Sequence, residues 1–318
     1  MVETVNTVNE PKKKRSLERG SNIFYALLMI FPVAQFILFY LVVNFKSFGY
    51  AFMEGTILNE SRIEWSFTLK NISEWFTNAY LRTRLLDTAK MSLVFYGIML
   101  LVSIPLGLLF AYYIFKKLPL SGFFRIFLFV PSIIPAAAFV MAYKYILNDA
   151  FPVITEQLGA KMPVFKGANW SFDAHPFGYI LFYNLYISFG TSVLMYANKM
   201  FDISPEIVEA GKLDGAVGIK EFWHIILPLT FPTLSVFLVT GIATLFTNHY
   251  NLFMFYVGPE FDTLGYYLYK EVGTTAPPYG SEVDTPPIAA LGLILTAIAI
   301  PLTFGLKAVL DKFGPSED

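Results

Sequence analysis

The 318-residue chain contains no cysteine, which excludes disulfides, thiolate metal sites and a cysteine nucleophile. Charge is scarce as well: 15% of residues are charged against 55% hydrophobic, and the mean hydropathy is +0.55. So little charge cannot cover the surface of a water-soluble protein of this length. The formal net charge of −1 leaves no surplus of positive charge for a nucleic-acid backbone, so no nucleic-acid partner is expected. No G-x-x-x-x-G-K-[ST] phosphate loop occurs, so this chain is not expected to hydrolyse ATP. The three histidines, His175, His224 and His249, fall in separate segments without metal-ligand spacing and read as structural. No carboxylate pair lies inside an apolar run, which removes intramembrane proteolysis and carboxylate proton relays from the front rank. Neither a catalytic site, a metal nor a bound cofactor is expected on this chain.

What is present is a set of long apolar runs. A helix needs about 20 residues to cross the hydrocarbon of a bilayer. Five uncharged runs meet that length: Phe24 to Asn44, Met91 to Phe115, Ile126 to Tyr143, Phe177 to Asn198, and Pro286 to Leu306. A sixth span is expected near Phe231 to Met254, where Pro228 and Pro232 suit a first turn. The period-two alternation of a membrane β-barrel is missing, so the reading is an all-α polytopic membrane protein with six transmembrane helices. An even number of spans puts both termini on one side. Lys12, Lys13, Lys14, Arg15 and Arg19 precede the first span and mark that side as cytoplasmic. The bias across the remaining loops is modest, weakened by Arg62, Arg82 and Arg84 in the first outer loop. The first apolar run exceeds the roughly 7–15 residues of a signal-peptide core and reads as a retained anchor.

The expected organisation is a disordered cytoplasmic tail over 1–20, a six-helix transmembrane domain over 21–312, and a C-terminal tail over 313–318. Outer loops fall at 45–90, 148–176 and 259–285. The inner loop inside 199–228 is long, charged and helically patterned, so it is expected to fold. Ser204 can cap a helix, Pro205 presets φ at its first position, and Glu206 suits the positive end of its dipole. That helix is expected to end near Leu213. Asp214-Gly215 then makes a turn in which Gly215 takes φ > 0 and Asp214 caps the next helix. The apolar positions Ile207, Val208, Ala210, Leu213, Ala216 and Val217 need cover from a partner.

These residues resemble the membrane subunits of binding-protein-dependent ABC importers, especially of the sugar-uptake type. The shared loop stands as Glu209-Ala210-Gly211, Asp214-Gly215-Ala216, Val217 to His224, and Ile225-Ile226-Leu227-Pro228, with Gly211 replacing the usual second Ala. Phe67-Thr68-Leu69-Lys70-Asn71 and Phe127 to Pro135 look like the family's outer loop and third span, so the resemblance covers residues 20–315. It implies that the loop sits in a cleft of a cytoplasmic ATPase: Glu209 would pair with a basic residue, Gly215 would permit the turn, and Ala210, Leu213 and Ala216 would make apolar contact. It further implies two ATPase subunits holding ATP and Mg, a second permease chain, an extracytoplasmic solute-binding protein, and a bacterial-type cytoplasmic membrane. The last outer loop, with Tyr266, Tyr267, Tyr269 and Tyr279, would meet the solute-binding protein or the membrane interface.

Polar residues inside spans face a neighbouring helix or a cavity. Asn184, Ser188 and Thr191 share a helical face in the fourth span, with Tyr183 and Tyr186 close by, and Thr240, Thr244, Thr247 and Asn251 share one in the fifth, beside Asn248 and Tyr250. The resemblance puts the solute cavity between these helices, and the alternative for each residue is hydrogen bonding between helices. The faces lack charge, which favours hydroxyl-rich neutral cargo over carboxylates or phosphates. Lys144 either contacts an anionic group or snorkels to the interface. Peptide, polyamine and glycerol-phosphate cargo stay open, as do an ion-coupled secondary transporter and a membrane scaffold without cargo.

Overall fold

The computed structural model describes residues 12–59, 62–159, 171–275 and 282–315. It opens with α1 (Lys12–Gln35), which runs through a π-helical stretch into α2 (Val43–Tyr50). The apolar side chains of Phe24–Tyr50 are nearly all exposed, as suits a helix clothed by lipid.

A β-hairpin follows, β1 (Met53–Asn59) antiparallel to β2 (Arg62–Phe67), with Met53 opposite Phe67 and a bulge between Ile57 and Asn59. The all-α expectation did not foresee it. Short helix α3 (Lys70–Thr77) locks this hairpin down: the buried Asn71 amide donates to the Met53 carbonyl at 2.8 Å, and Trp75 Nε1 donates to the Pro287 carbonyl at 2.9 Å. Asn78 then caps α4 (Ala79–Phe115), accepting from the N–H groups of Tyr80 and Leu81.

The third apolar run is not one straight span. It divides into α5 (Ser121–Ile133) and α6 (Ala136–Tyr145), bent by 106°. Pro135 drives Ile134 out of the helical region to φ −77°, ψ 133°, because the proline ring crowds the preceding residue. After α7 (Phe151–Gly159) come α8 (Pro176–Phe201), α9 (Pro205–Leu213), α10 (Ile219–Glu221), α11 (Leu227–Thr244), α12 (Leu252–Phe255), α13 (Leu264–Thr275) and α14 (Thr285–Phe313). Five of the described helical segments are long and apolar enough to cross a membrane, six if the bent pair counts as one span.

The sixth expected span, Phe231 to Met254, is displaced. The helix starts at Ile219, passes through a π-turn at Phe222–Ile226 and ends at Thr244. Pro228 lacks an N–H, and the wider π-turn ahead of it absorbs that gap, so helix can extend upstream of the proline. Because it stops at Thr244, the face expected to join Thr240, Thr244, Thr247 and Asn251 is not continuous.

Packing is organised around α8, which lies against α4, α5 and α11. One core joins Ala111, Tyr196, Met200, Val208 and Phe222 near the 199–228 loop, and a second at the opposite end joins Phe95, Tyr183, Tyr250 and Phe255. At that opposite end α13 folds inward: Tyr266 and Tyr267 are buried while Tyr269 is exposed, and Tyr279 lies outside the described residues. Burial, with Glu271 alongside, pushes the Tyr267 hydroxyl up to about 12.

Candidate coupling hook and solute cavity

The 199–228 loop folds as a rigid hook. Ser204 Oγ accepts the Glu206 N–H at 3.3 Å, Pro205 occupies the first turn, and α9 ends at Leu213. The exit is a Schellman turn: the Gly215 N–H donates to the Lys212 carbonyl at 3.1 Å and the Ala216 N–H to the Gly211 carbonyl at 2.8 Å, with Gly215 at φ 83°. Asp214 closes α9 rather than opening the next helix, because Val217 and Gly218 intervene and Gly218 takes the cap position of α10. A Cβ at Gly211 would run into Ile225 Cδ1. The residue that departs from the family pattern thus leaves room for Ile225, itself part of that pattern.

Val208 is buried and pins the hook to the bundle. The rest of its apolar surface is open: Leu213 is 90% exposed, and Ile207, Val217 and Ile219 are exposed too. Glu209 and Ala210 lie on the exposed side, and Leu227-Pro228 begins α11.

Between Thr244 and Pro259 the chain is helical only over the single turn of α12, which is flanked by Tyr250, Asn251 and Tyr256, all at positive φ. Backbone freed from a helix in an apolar setting must find partners, and here it does. Asn248 Oδ1 accepts the Tyr250 N–H at 2.9 Å, and His249 Nδ1 accepts the Asn251 N–H at 3.1 Å. Thr263 Oγ1 donates to the Asn248 carbonyl at 3.1 Å, and Asn184 Nδ2 to the Tyr250 carbonyl at 3.0 Å. Lys144 Nζ donates to the Phe255 carbonyl at 2.9 Å and lies 5.0 Å from the Phe172 ring centroid, so it is engaged inside the fold rather than snorkelling.

Beside this broken segment α4, α8 and α11 enclose an open cavity of about 190 Å³. Ser188, Thr244, Asn248 and Tyr250 line it, joined by Tyr96, Ser103, Ser192 and Tyr196, which the sequence reading missed. Ser192 was within reach, standing one turn beyond Ser188 and donating to its carbonyl at 3.0 Å. Tyr96 and Ser103 stand seven apart on one face of α4, a polar spacing inside an apolar run. Asn184 sits behind the wall, buried; Thr191 is exposed on another face of α8, and neither it nor Asn251 lines the cavity. The lining sets hydroxyl, amide and aromatic groups among the aliphatic Met99, Leu100, Ile104 and Leu238, with no charged side chain. The Ser188, Ser192 and Thr244 hydroxyls donate to carbonyls of their own helices, which leaves their oxygen lone pairs as acceptors.

No family model matches the chain. It is 26% identical over 223 residues to "Probable ABC transporter permease protein MG188" of Mycoplasma genitalium, covering 67% of this chain and 64% of that protein. It is 25% identical over 153 residues to "Multiple sugar-binding transport system permease protein MsmF" of Streptococcus mutans, covering 47% and 51%. The chain thus spans between half and two thirds of the length of these relatives. Its fold matches a chain in the crystal structure of a bacterial alginate ABC transporter in complex with an alginate pentasaccharide-bound periplasmic protein, with a TM-score of 0.71, 16% identity, and coverage of 94% of this chain and 96% of that one. Over part of its length this multi-pass membrane chain is thus similar in sequence to ABC transporter permeases, and its fold matches a chain of an ABC transporter.

Proposed function

We propose that the chain is the permease subunit of an ATP-driven ABC importer for a sugar or oligosaccharide, set in a bacterial-type cytoplasmic membrane with both termini inside. The observation that carries this reading is the hook: a rigid helix and Schellman turn that holds Leu213 90% exposed at its tip. An apolar tip on a stiff, basally anchored turn is built to enter a cleft on another protein. That protein would be a cytoplasmic ATPase, which binds ATP and Mg. Two such subunits, one per hook, call for a second permease chain.

Closure of the ATPases around nucleotide would displace the hook. Val208 and Phe222 belong to the same packed core as α4 and α8, so displacement there reorients the helices that line the cavity. The cavity would then open alternately to each side. Its uncharged hydroxyl and amide lining suits the hydroxyls of a neutral sugar, and Tyr96, Tyr196 and Tyr250 offer faces for its C–H surfaces. Its volume of about 190 Å³ suits one sugar ring at a time. Solute would arrive on an extracytoplasmic binding protein, a role supported by the periplasmic partner in the alginate transporter's structure.

Uptake by proteoliposomes containing the purified complex tests the reading. Import of labelled oligosaccharide that needs ATP, the ATPase and the binding protein is expected. Uptake driven by an ion gradient without ATP would overturn it, and so would a complex that carries nothing.

A further inference from the structure

Two residues one turn apart at the end of α4 grip the hook just past its exposed tip. Lys116, at the end of α4, places Nζ 2.9 and 3.0 Å from the two carboxylate oxygens of Glu221 in α10. The Glu221 side chain is 1% exposed, whereas Lys116 is 27% exposed. Four residues earlier, the Tyr112 hydroxyl donates to the Gly218 carbonyl at 2.9 Å. Gly218 holds φ 60°, ψ −120°, a region open to glycine and strained for any other residue. Around these polar contacts the Tyr112 and Phe222 rings pack at 5.2 Å.

An apolar contact can slide, since one methyl group is replaced by another at little cost. A buried carboxylate held on both oxygens by one ammonium cannot slide without leaving the carboxylate buried and unpaired. Residues i and i+4 on one helix holding residues i and i+3 of another segment fix both its distance and its rotation. Lys116, Tyr112 and Glu221 lie away from the exposed tip that would enter an ATPase cleft, and only Gly218, between the exposed Val217 and Ile219, borders it.

We infer that Lys116 and Glu221, with Tyr112 on Gly218, form a strut that transmits movement of the hook to α4 and so to the solute cavity. Lys116 and Glu221 are positioning residues, remote from solute and nucleotide alike. This rests on the transport reading above, and it adds the element that turns hook displacement into movement of a cavity wall. Tyr112 and Tyr96 lie on the same helix, so a pull at one end of α4 reaches the cavity lining without passing through a loop.

The test reconstitutes the whole complex and measures solute imported per ATP hydrolysed. Removing one partner alone would strand a buried charge, so the informative variant is the double Lys116→Met/Glu221→Met, which replaces the pair with apolar groups that keep the packing. The ATPase is expected to co-purify with it and to hydrolyse ATP near the native rate, while transport per ATP falls by about tenfold. The reversed pair Lys116→Glu/Glu221→Lys should recover most of that ratio. An unchanged ratio in the double methionine variant would overturn the strut, and so would a reversed pair that recovers nothing. Failure of the underlying reading looks different: the unaltered complex would then import nothing with ATP, or would hold no ATPase.

Discussion

The Asn184 amide donates at once to the Ile180 carbonyl of its own helix, at 2.9 Å, and to the Tyr250 carbonyl across the bundle, at 3.0 Å. Tyr250 is at φ 47°, a conformation that tyrosine adopts only when its surroundings enforce it. The Asn184 bond and the stacking of Tyr250 on Phe95 at 5.0 Å are two of the restraints that enforce it, so one buried amide sets the shape of a cavity wall that it does not itself line.

Asn184→Leu removes that restraint and leaves the Tyr250 carbonyl buried without its cross-bundle partner, a loss of about 1–3 kcal/mol. The expected outcome is a complex that still assembles and hydrolyses ATP but imports solute several-fold more slowly. Initial uptake rates against solute concentration check this, with the change concentrated in the apparent solute affinity. Native uptake kinetics would show that the turn at Tyr250 holds its shape without Asn184.

Ser192 and Thr191 are neighbours in sequence and part company in space. Ser192 lines the cavity, and Thr191 is exposed on another face of α8. Ser192→Leu intrudes several heavy atoms into a space of about 190 Å³ and should abolish import. Thr191→Leu puts the same leucine on the outside of the helix and should leave import near the native rate. Equal effects from the two, read by uptake at matched protein levels, would place the pathway elsewhere.

The hook makes a paired prediction about glycines. Gly215→Asp puts a charged side chain at φ 83°, a left-handed conformation that costs most L residues about 1–2 kcal/mol and Asp less, at the tip that would enter the ATPase cleft. That cost is small beside the stability of the bundle, so membrane insertion and expression should survive, while the charge and bulk at the apolar tip abolish transport. Gly211→Ala should be mild, since the Cβ it adds meets the movable end of Ile225 rather than backbone. Import by the Gly215→Asp variant at the native rate would remove the hook from the mechanism.

How far these features were legible follows from the range of the forces behind them. The hook from Ser204 to Leu213 and the positive φ at Gly215 are set by caps and turn chemistry within a few residues, and the sequence specifies them directly. The apolar runs are equally local in origin. The break between α5 and α6 was signalled by Pro135, but a helix that bends by 106° and one that only kinks carry the same proline, and packing against α8 decides between them. The end of α11 at Thr244 had only a weak local sign in Asn248 and Asn251, which favour turns. Leu245 to Asn251 is uncharged and could continue a span, and it leaves helical geometry because Asn184, Thr263 and Lys144, distant in sequence, take up the carbonyls of that segment and of the short helix after it. The cavity wall contributed by Tyr96 and Ser103 was hidden for a related reason, since two polar residues in an apolar helix are more often hydrogen-bonding glue than lining.

Far from the hook, Asp262 is shared by two cations. Arg84 on α4 lies 2.6 Å from its Oδ2, Lys270 on α13 reaches the same oxygen, and the Asp262 side chain has no exposed surface. Arg84 also donates to the Pro259 carbonyl at 3.3 Å and rests 5.5 Å from the Tyr267 ring centroid, so the carboxylate ties α4 to the whole 259–275 segment. Asp262→Ala leaves two cations facing each other across the space it filled. Breaking a buried pair costs about 3–5 kcal/mol, and because both cations are partly exposed and can rehydrate, a loss near the lower end, about 3 kcal/mol, is expected. Thermal unfolding in detergent should show a fall in Tm of several degrees, with protease sensitivity appearing first in the 259–275 segment. Arg84→Met in the Asp262→Ala background should recover part of that loss by removing one unpaired charge. A double variant no more stable than Asp262→Ala alone would mean that the carboxylate acts through packing rather than through charge.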